Sequence, residues 1–298
     1  MTTVDVPSGR PAAVETPGPG DPRLERLSLN QKTVEGWNVE QVVEGCVRLG
    51  IPSVGLWREP VARTGLEESA RLAREAGLRV SSLCRGGFLT AMEGPARDAA
   101  LEDNRRAIDE AVTLETSCLV LVVGGLPEGS RDLAGARDRV AAAVDALVPY
   151  AAERGVRLAL EPLHPMYCAD RAVLSTLGQA LDIAEGYPVE HVGVVVDTFH
   201  LWWDPDIEEQ IARAGRRIAS FQVCDWITPV PSDDLLLARG MMGDGHIDFA
   251  AFWHAVHDAG YDGDVEVEIF NAAVWAADPE DVLATTARRY VEHVLHDQ

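Results

Sequence analysis

The sequence predicts a single (β/α)8 barrel of the α/β class, and three observations carry that prediction. From Leu27 onward, short β-branched or apolar runs alternate eight times with longer Ala/Leu/Arg/Glu-rich stretches of helical period. Several of the helical stretches end in a glycine suited to a helix C-cap. No Gly-rich phosphate turn follows the first strand, as a doubly wound nucleotide-binding sheet requires, and such sheets usually hold fewer than eight strands.

Taken in order, strands are expected over residues 27–31, 53–57, 79–84, 118–123, 157–161, 192–197, 218–224 and 264–269. Helices are expected between and after them, over 40–49, 66–76, 99–114, 135–154, 174–185, 206–214, 249–259 and 280–295. Gly50, Gly77, Gly155 and Gly215 precede the second, third, fifth and seventh strands, where a helix must stop. Residues 1–22 are rich in Pro, Gly and Thr, so they read as a disordered tail ahead of one barrel domain over 23–298. They contain no apolar core of a signal peptide, which leads us to expect a cytoplasmic protein.

Composition removes several functions. The 298 residues include 48 acidic and 26 basic side chains, a net charge of −22 and a pI near 4.6. Nucleic-acid affinity comes largely from Lys and Arg releasing counterions, and anionic membranes attract basic surfaces, so neither partner is expected. With 47% hydrophobic residues and a mean hydropathy of −0.04, the chain can bury a large core, and no apolar run reaches the length of a membrane span. Cys46, Cys84, Cys118, Cys168 and Cys224 are odd in number and scattered, which suits free thiols in a reducing compartment.

A barrel of this kind carries its active site at the C-terminal ends of the strands. The last four strands end in Leu160-Glu161-Pro162-Leu163-His164, Val196-Asp197-Thr198-Phe199-His200, Phe221-Gln222-Val223 and Glu266-Val267-Glu268-Ile269-Phe270-Asn271. Alternation along a strand turns Ala159 and Glu161, Val195 and Asp197, and Glu266 and Glu268 inward, with Leu158, Leu160, Val194, Val196, Val265, Val267 and Ile269 outward. Carboxylates converging in a barrel mouth repel one another unless a cation neutralises them. Any one of them alone reads as the N-cap of the next helix. Four oxygen-bearing side chains in register favour a divalent metal instead. Ligation by Glu161, Asp197, Gln222 and Glu268 suits a hard or borderline cation with open positions, Mn²⁺ first, with Mg²⁺ or Co²⁺ as alternatives.

These residues resemble the xylose-isomerase-like barrels of the sugar phosphate isomerase/epimerase family, which includes ketose 3-epimerases, hydroxypyruvate isomerase and inosose-processing enzymes. The resemblance runs from about Leu27 to the end of the chain. It rests on Glu161-Pro162-Leu163, Asp197-Thr198-Phe199-His200, Gln222 within Ser220-Phe221-Gln222-Val223, the run from Arg239 to Asp248 with Gly243-Asp244-Gly245, and Glu268-Ile269-Phe270-Asn271. It implies that Glu161, Asp197, Gln222 and Glu268 bind one divalent metal. The third position is His in epimerases and Gln in hydroxypyruvate-isomerase-like members, so Gln222 sides with the latter. It also implies proton transfer through a cis-enediolate at the metal, with Glu161 and Glu268 as acid and base and with His200 and Arg239 on the substrate's oxygens.

Other positions keep two readings. His164 lines the mouth or caps the loop before Pro165. Trp57, Trp226, Trp202 and Trp203 could wall a sugar site, since apolar sugar faces pack on aromatic rings, but Trp202 and Trp203 read better as loop packing. Arg85 contacts substrate or is an exposed loop arginine. Glu266, one layer below Glu268, requires a buried partner, for which inward-facing Arg157 is the candidate. The expected function is thus a metal-dependent isomerase or epimerase of a small, unphosphorylated ketose or keto-polyol, because no Gly-rich phosphate turn follows the seventh or eighth strand. The alternative is an inosose-type dehydratase or other lyase using the same residues. Trp57, Cys84-Arg85, Gln222 and the −22 charge argue against the three-zinc endonuclease branch of the fold. A non-catalytic sugar-binding barrel is a third reading, and family members are often homo-oligomers.

Overall fold

The computed structural model describes residues 15–232 and 234–296, so the expected tail lies outside the described residues as far as position 14. Of the rest of that stretch, Pro17 is buried, and Pro19 packs where a side chain on Gly50 would stand. The 3-10 turn Pro22–Leu24, capped by Asp21, buries Leu24 and leads into the barrel.

Ten strands form among the described residues: β1 (Leu27–Asn30), β2 (Ser53–Trp57), β3 (Arg79–Gly87), β4 (Cys118–Val122), β5 (Arg157–Glu161), β6 (Val192–Asp197), β7 (Ile218–Val223), β8 (Asp225–Trp226), β9 (Arg239–Gly240) and β10 (Val265–Val267). β1 to β7 and β10 are all parallel and close into a barrel, with β10 joining β7 to β1. β8 and β9 make a separate antiparallel ribbon. No helix among the described residues is long and apolar enough to cross a membrane.

Local chemistry explains the helices. Asn38 and Gln41 form a capping box at the start of Val39–Leu49, which buries Val39, Val42, Val43 and Cys46 at helical spacing. Gly50, at φ +73°, ends it by returning its N–H to the carbonyls of Cys46 and Val47. Outward-facing Leu158, Leu160, Val194, Val196, Val265, Val267 and Ile269 pack between strands and helices. Inward-facing Trp57, Cys84, Cys118, Val120, Ala159, Val195 and Phe270 form a smaller cluster inside the barrel, so the alternation expected from the sequence holds.

Four expectations require correction. The third strand runs to Gly87 rather than to position 84, because its pairing with β4 slips between Cys84 and Gly86 and continues. Arg85 is therefore the extra residue of a bulge, not the end of a strand. The fifth expected helix begins at Leu177, where the Thr176 side chain accepts the Gln179 N–H, rather than at 174. The last helix stops at Arg289 and widens into a π turn, Tyr290–Val294. Arg157 does not pair with Glu266. It opens β5 at the N-terminal rim and donates to the carbonyls of Arg216 and Ile218.

Candidate active site and metal centre

The C-terminal ends of the strands surround a cavity of about 450 Å³ lined by Trp57, Arg85, Glu161, His200, Arg239 and Glu268, among others. A larger cavity of about 660 Å³ opens at the N-terminal end, where Arg79 pairs with Asp264 and Arg74 with Glu115, but that end of a barrel is not where the strands present their catalytic side chains. The chemistry therefore belongs to the smaller one.

Each functional side chain is held by the strand end that carries it. Glu161 closes β5, 4% exposed, and its carboxylate makes no hydrogen bond among the described residues. Asp197 closes β6 and does two things at once. Its Oδ1 accepts the Phe199 N–H at 2.7 Å, capping the helical turn Thr198–Leu201, while Oδ2 receives Arg239 Nη1 at 3.0 Å. Cap and charge partner are thus the same residue. Thr198 ties this corner to β7, its hydroxyl donating to the Cys224 carbonyl and accepting the Cys224 N–H. Glu268 lies just past the ladder of β10, where its N–H still reaches the Val223 carbonyl at 3.2 Å. Thr33 holds that segment from below, between the Val267 carbonyl and the Ile269 N–H.

Arg239 is 2% exposed and bridges Asp197 and Glu268, with Nη1 3.0 and 3.1 Å from their oxygens. Phe199 and Phe270 flank its guanidinium at 4.6 and 5.2 Å. The ribbon of β8 and β9 delivers it. Asp225, buried at the base of that ribbon, accepts N–H groups from Trp226, Gly243, Gly245, His246 and Ile247 and so shapes the loop beyond Arg239. A side chain at Gly245 would strike the Trp226 carbonyl, so the second glycine of the Gly-Asp-Gly run cannot be replaced without moving the ribbon.

The electrostatics would suit a bound cation. Burial pushes the Glu161, Asp197 and Glu268 carboxyls above their ordinary range, Glu268 to about 8. Burial opposes the charge on Arg239, but Asp197 and the neighbouring acids hold it firmly cationic. With all three carboxyls ionised, one guanidinium would balance one of them and leave two negative charges, which a divalent cation would cancel. Gln222 adds an oxygen. It is 1% exposed, level with Asp197 on the neighbouring strand, and its Oε1 is buried without a hydrogen-bond partner. That orphaned acceptor beside hard carboxylate oxygens fits Mn²⁺, Mg²⁺ or Co²⁺.

One ligand atom each from Glu161, Asp197 and His200 lie within 4.8 Å of one another. The His200 ring, however, reads as a donor. Burial keeps it neutral, well below the usual histidine range, so it has a single lone pair. Its Nδ1 faces the His164 backbone N–H at 3.1 Å and its Nε2 faces Arg239 Nη2 at 3.0 Å. The ring cannot accept from both, and the backbone amide cannot turn away. With Nδ1 accepting, Nε2 would carry the proton, its contact with Arg239 would then be donor to donor, and both groups would be left to donate to an incoming oxygen.

Trp57 lines the cavity and donates from its indole to Asn30 Oδ1 at 2.9 Å. Arg85 lines it too, its guanidinium 4.3 Å from the Phe88 ring centre and its Nη1 buried without a partner. His164 and Trp226 do not line the cavity. The His164 ring caps the turn Pro165–Tyr167 and leans on Trp226 at 5.1 Å, and Trp226 stacks on Phe199 at 4.8 Å, so both support the wall from behind. Trp202 packs on Trp226 at 5.6 Å, and Trp203 donates to the His200 carbonyl. The expected roster lacks Lys32, Phe270, Asn30 and Asp225. Lys32 and Phe270 follow strand ends closely and could have been found that way. Asn30 and Asp225 act through contacts no spacing encodes.

The sequence pattern of the family described as Xylose isomerase-like TIM barrel matches residues 43–292. A ketose 3-epimerase from Arthrobacter globiformis is 29% identical over 145 residues, which are 46% of this chain and 43% of that protein, so the chain spans less than half the length of this curated relative. Among solved structures, protein SMc04130 from Sinorhizobium meliloti 1021 is 47% identical, with a TM-score of 0.87 over 90% of this chain and 98% of that one. The IOLI protein with a bound zinc atom superimposes with a TM-score of 0.74 at 20% identity, over 90% and 98% of the two chains. The D-psicose 3-epimerase of Clostridium cellulolyticum H10 with D-tagatose does so with 0.71 at 20% identity, over 90% and 99%. At that identity the last two speak for the fold alone.

Proposed function

The chain belongs to the xylose isomerase-like TIM barrel family, and on that premise we propose that it is a divalent-metal-dependent sugar isomerase or epimerase. Its substrate would be a small, unphosphorylated ketose or keto-polyol, in keeping with the sugar epimerases among the proteins it resembles. The observation that carries this reading is the charge pattern of the mouth, where three buried carboxylates meet one guanidinium and an unpartnered amide oxygen.

Glu161, Asp197, Gln222 and Glu268 would hold the cation, Mn²⁺ ahead of Mg²⁺ or Co²⁺. When bound, it would act as a Lewis acid that acidifies a C–H group between two substrate oxygens. Glu161, with no hydrogen bond to stabilise its charge, is suited to take up that proton. Glu268, on the other side of β6 and β7 and paired with Arg239, is suited to return a proton to the same or the neighbouring carbon. His200 Nε2–H and Arg239 would donate to the oxygen on which negative charge develops. Trp57 and Phe270 would exclude water along the sugar's apolar face.

Incubating the purified protein with Mn²⁺ and a panel of ketoses and inososes in D₂O tests the reading. The expected result is an isomer carrying solvent deuterium, formed only with metal present and abolished by chelation. Loss of water without any isomer would make the protein a lyase, and no exchange with any substrate would remove the reading altogether.

A further inference from the structure

Glu266 takes no part in the chemistry above, yet it is fully buried inside the barrel, where an ionised carboxylate is costly unless it is saturated with donors. Three other strands supply them. Asn30 Nδ2 donates at 2.5 Å, Ser81 and Ser82 hydroxyls at 2.7 and 2.8 Å, and Gln222 Nε2 at 3.3 Å. Asn30 is itself held by the Trp57 indole. Gly55 leaves the space, since a side chain there would strike the Glu266 carboxylate. In the barrel, Glu266 pairs in register with Gln222 on β7.

A glutamine side chain offers an oxygen at one edge and a donor nitrogen at the other, and nothing in the residue itself decides which edge faces a ligand. An acceptor-only carboxylate beside it does decide. The nitrogen must turn to Glu266, which leaves Oε1, buried and unpartnered, as the end of the amide available to a cation. We infer that Glu266 is a positioning residue that locks the Gln222 amide with its oxygen free, making the cation site one of oxygen donors only. This rests on the metal reading given above and adds to it how the fourth ligand is oriented.

The test is Mn²⁺ affinity of the metal-stripped full chain, followed by the electron paramagnetic resonance of free Mn²⁺, for wild type, Glu266→Gln, Gln222→Ala and the double variant. An amide in place of the Glu266 carboxylate can donate to Gln222 Oε1 and let that side chain turn over, so Glu266→Gln should weaken binding on the order of 10- to 100-fold. Gln222→Ala should do the same, and the double variant should bind no worse than Gln222→Ala. A purely structural role would instead weaken binding equally in both backgrounds, and that result, or an unaffected Glu266→Gln, overturns the inference while leaving the metal reading intact. Absence of Mn²⁺ binding by wild type overturns both. If Glu266→Gln does not fold, Glu266→Asp takes its place in the cycle, and the electron spin echo spectrum of Mn²⁺ on wild type tests the oxygen-only ligand set on its own. It should lack a directly coordinated nitrogen, and finding one overturns the oxygen-only assignment.

Discussion

Glu161 and Glu268 share a mouth but not an environment. Glu268 keeps a guanidinium at 3.1 Å, while Glu161 makes no ion pair with an arginine or lysine among the described residues and has the neutral His200 ring at 4.0 Å. Removing the carboxylate of either should therefore abolish proton transfer without unfolding the chain. Glu268→Gln and Glu161→Gln are each expected to lower kcat on the order of 10²- to 10⁴-fold, measured by deuterium exchange at saturating substrate with circular dichroism unchanged. Unchanged turnover in Glu268→Gln would remove that carboxylate from the proton-transfer step, and no turnover in wild type with any sugar would point to a barrel that binds sugars without reacting them. Arg239 is different, because its loss strands Asp197 and Glu268 together. Arg239→Met should destabilise the metal-free protein by about 3–5 kcal/mol in denaturant titrations, with added Mn²⁺ recovering part of that.

Among the elements, the ribbon of β8 and β9 matters most to the site, and a single buried carboxylate organises it. Asp225 collects five backbone N–H groups, four of them from the loop 243–247. Asp225→Ala should cost at least about 1–3 kcal/mol by leaving those donors unsatisfied, and it should raise KM through Arg239 while Mn²⁺ affinity changes less. Equal losses in substrate and metal binding would contradict the separate task given to the ribbon. At the bulged end of β3, Asn104 reaches from the helix Pro95–Thr113 to both the N–H and the carbonyl of Gly87. Asn104→Ala should lower thermal stability by a similar amount, and Arg85, two residues from that clasp, should lose order with it.

For the molecule as a whole, buried acids make stability depend on pH, and the proposed cation would change that dependence. Glu268 titrates near 8 in the folded chain, against about 4.5 for an ordinary glutamate, with burial as the main cause. Below about pH 4.5 the group is protonated folded and unfolded alike and costs nothing. Between about 4.5 and 8 unfolding releases its proton, so this contribution to stability is lost as pH rises, and above 8 the loss is complete. Glu161, Asp197 and Glu266 shift in the same direction. The chelated protein should accordingly give up stability from these groups as pH climbs through that window. The rise in Tm on adding Mn²⁺ should grow over the same range, and a metal effect independent of pH would contradict the charge accounting.

The sequence by itself determined the eight-stranded barrel, the inward-facing row and the strand ends that carry Glu161, Asp197, Gln222 and Glu268, because period and alternation are local properties of the chain. It also placed Glu266 one layer below Glu268. Only the tertiary structure decided what satisfies Glu266, since Asn30, Ser81, Ser82 and Gln222 come together through strand register around a closed barrel. It likewise moved Arg157 to the opposite rim and put His164 and Trp226 behind the wall rather than in it. Which edge of the Gln222 amide meets Glu266, and which of two histidines lines the cavity, are set by neighbours far away in sequence.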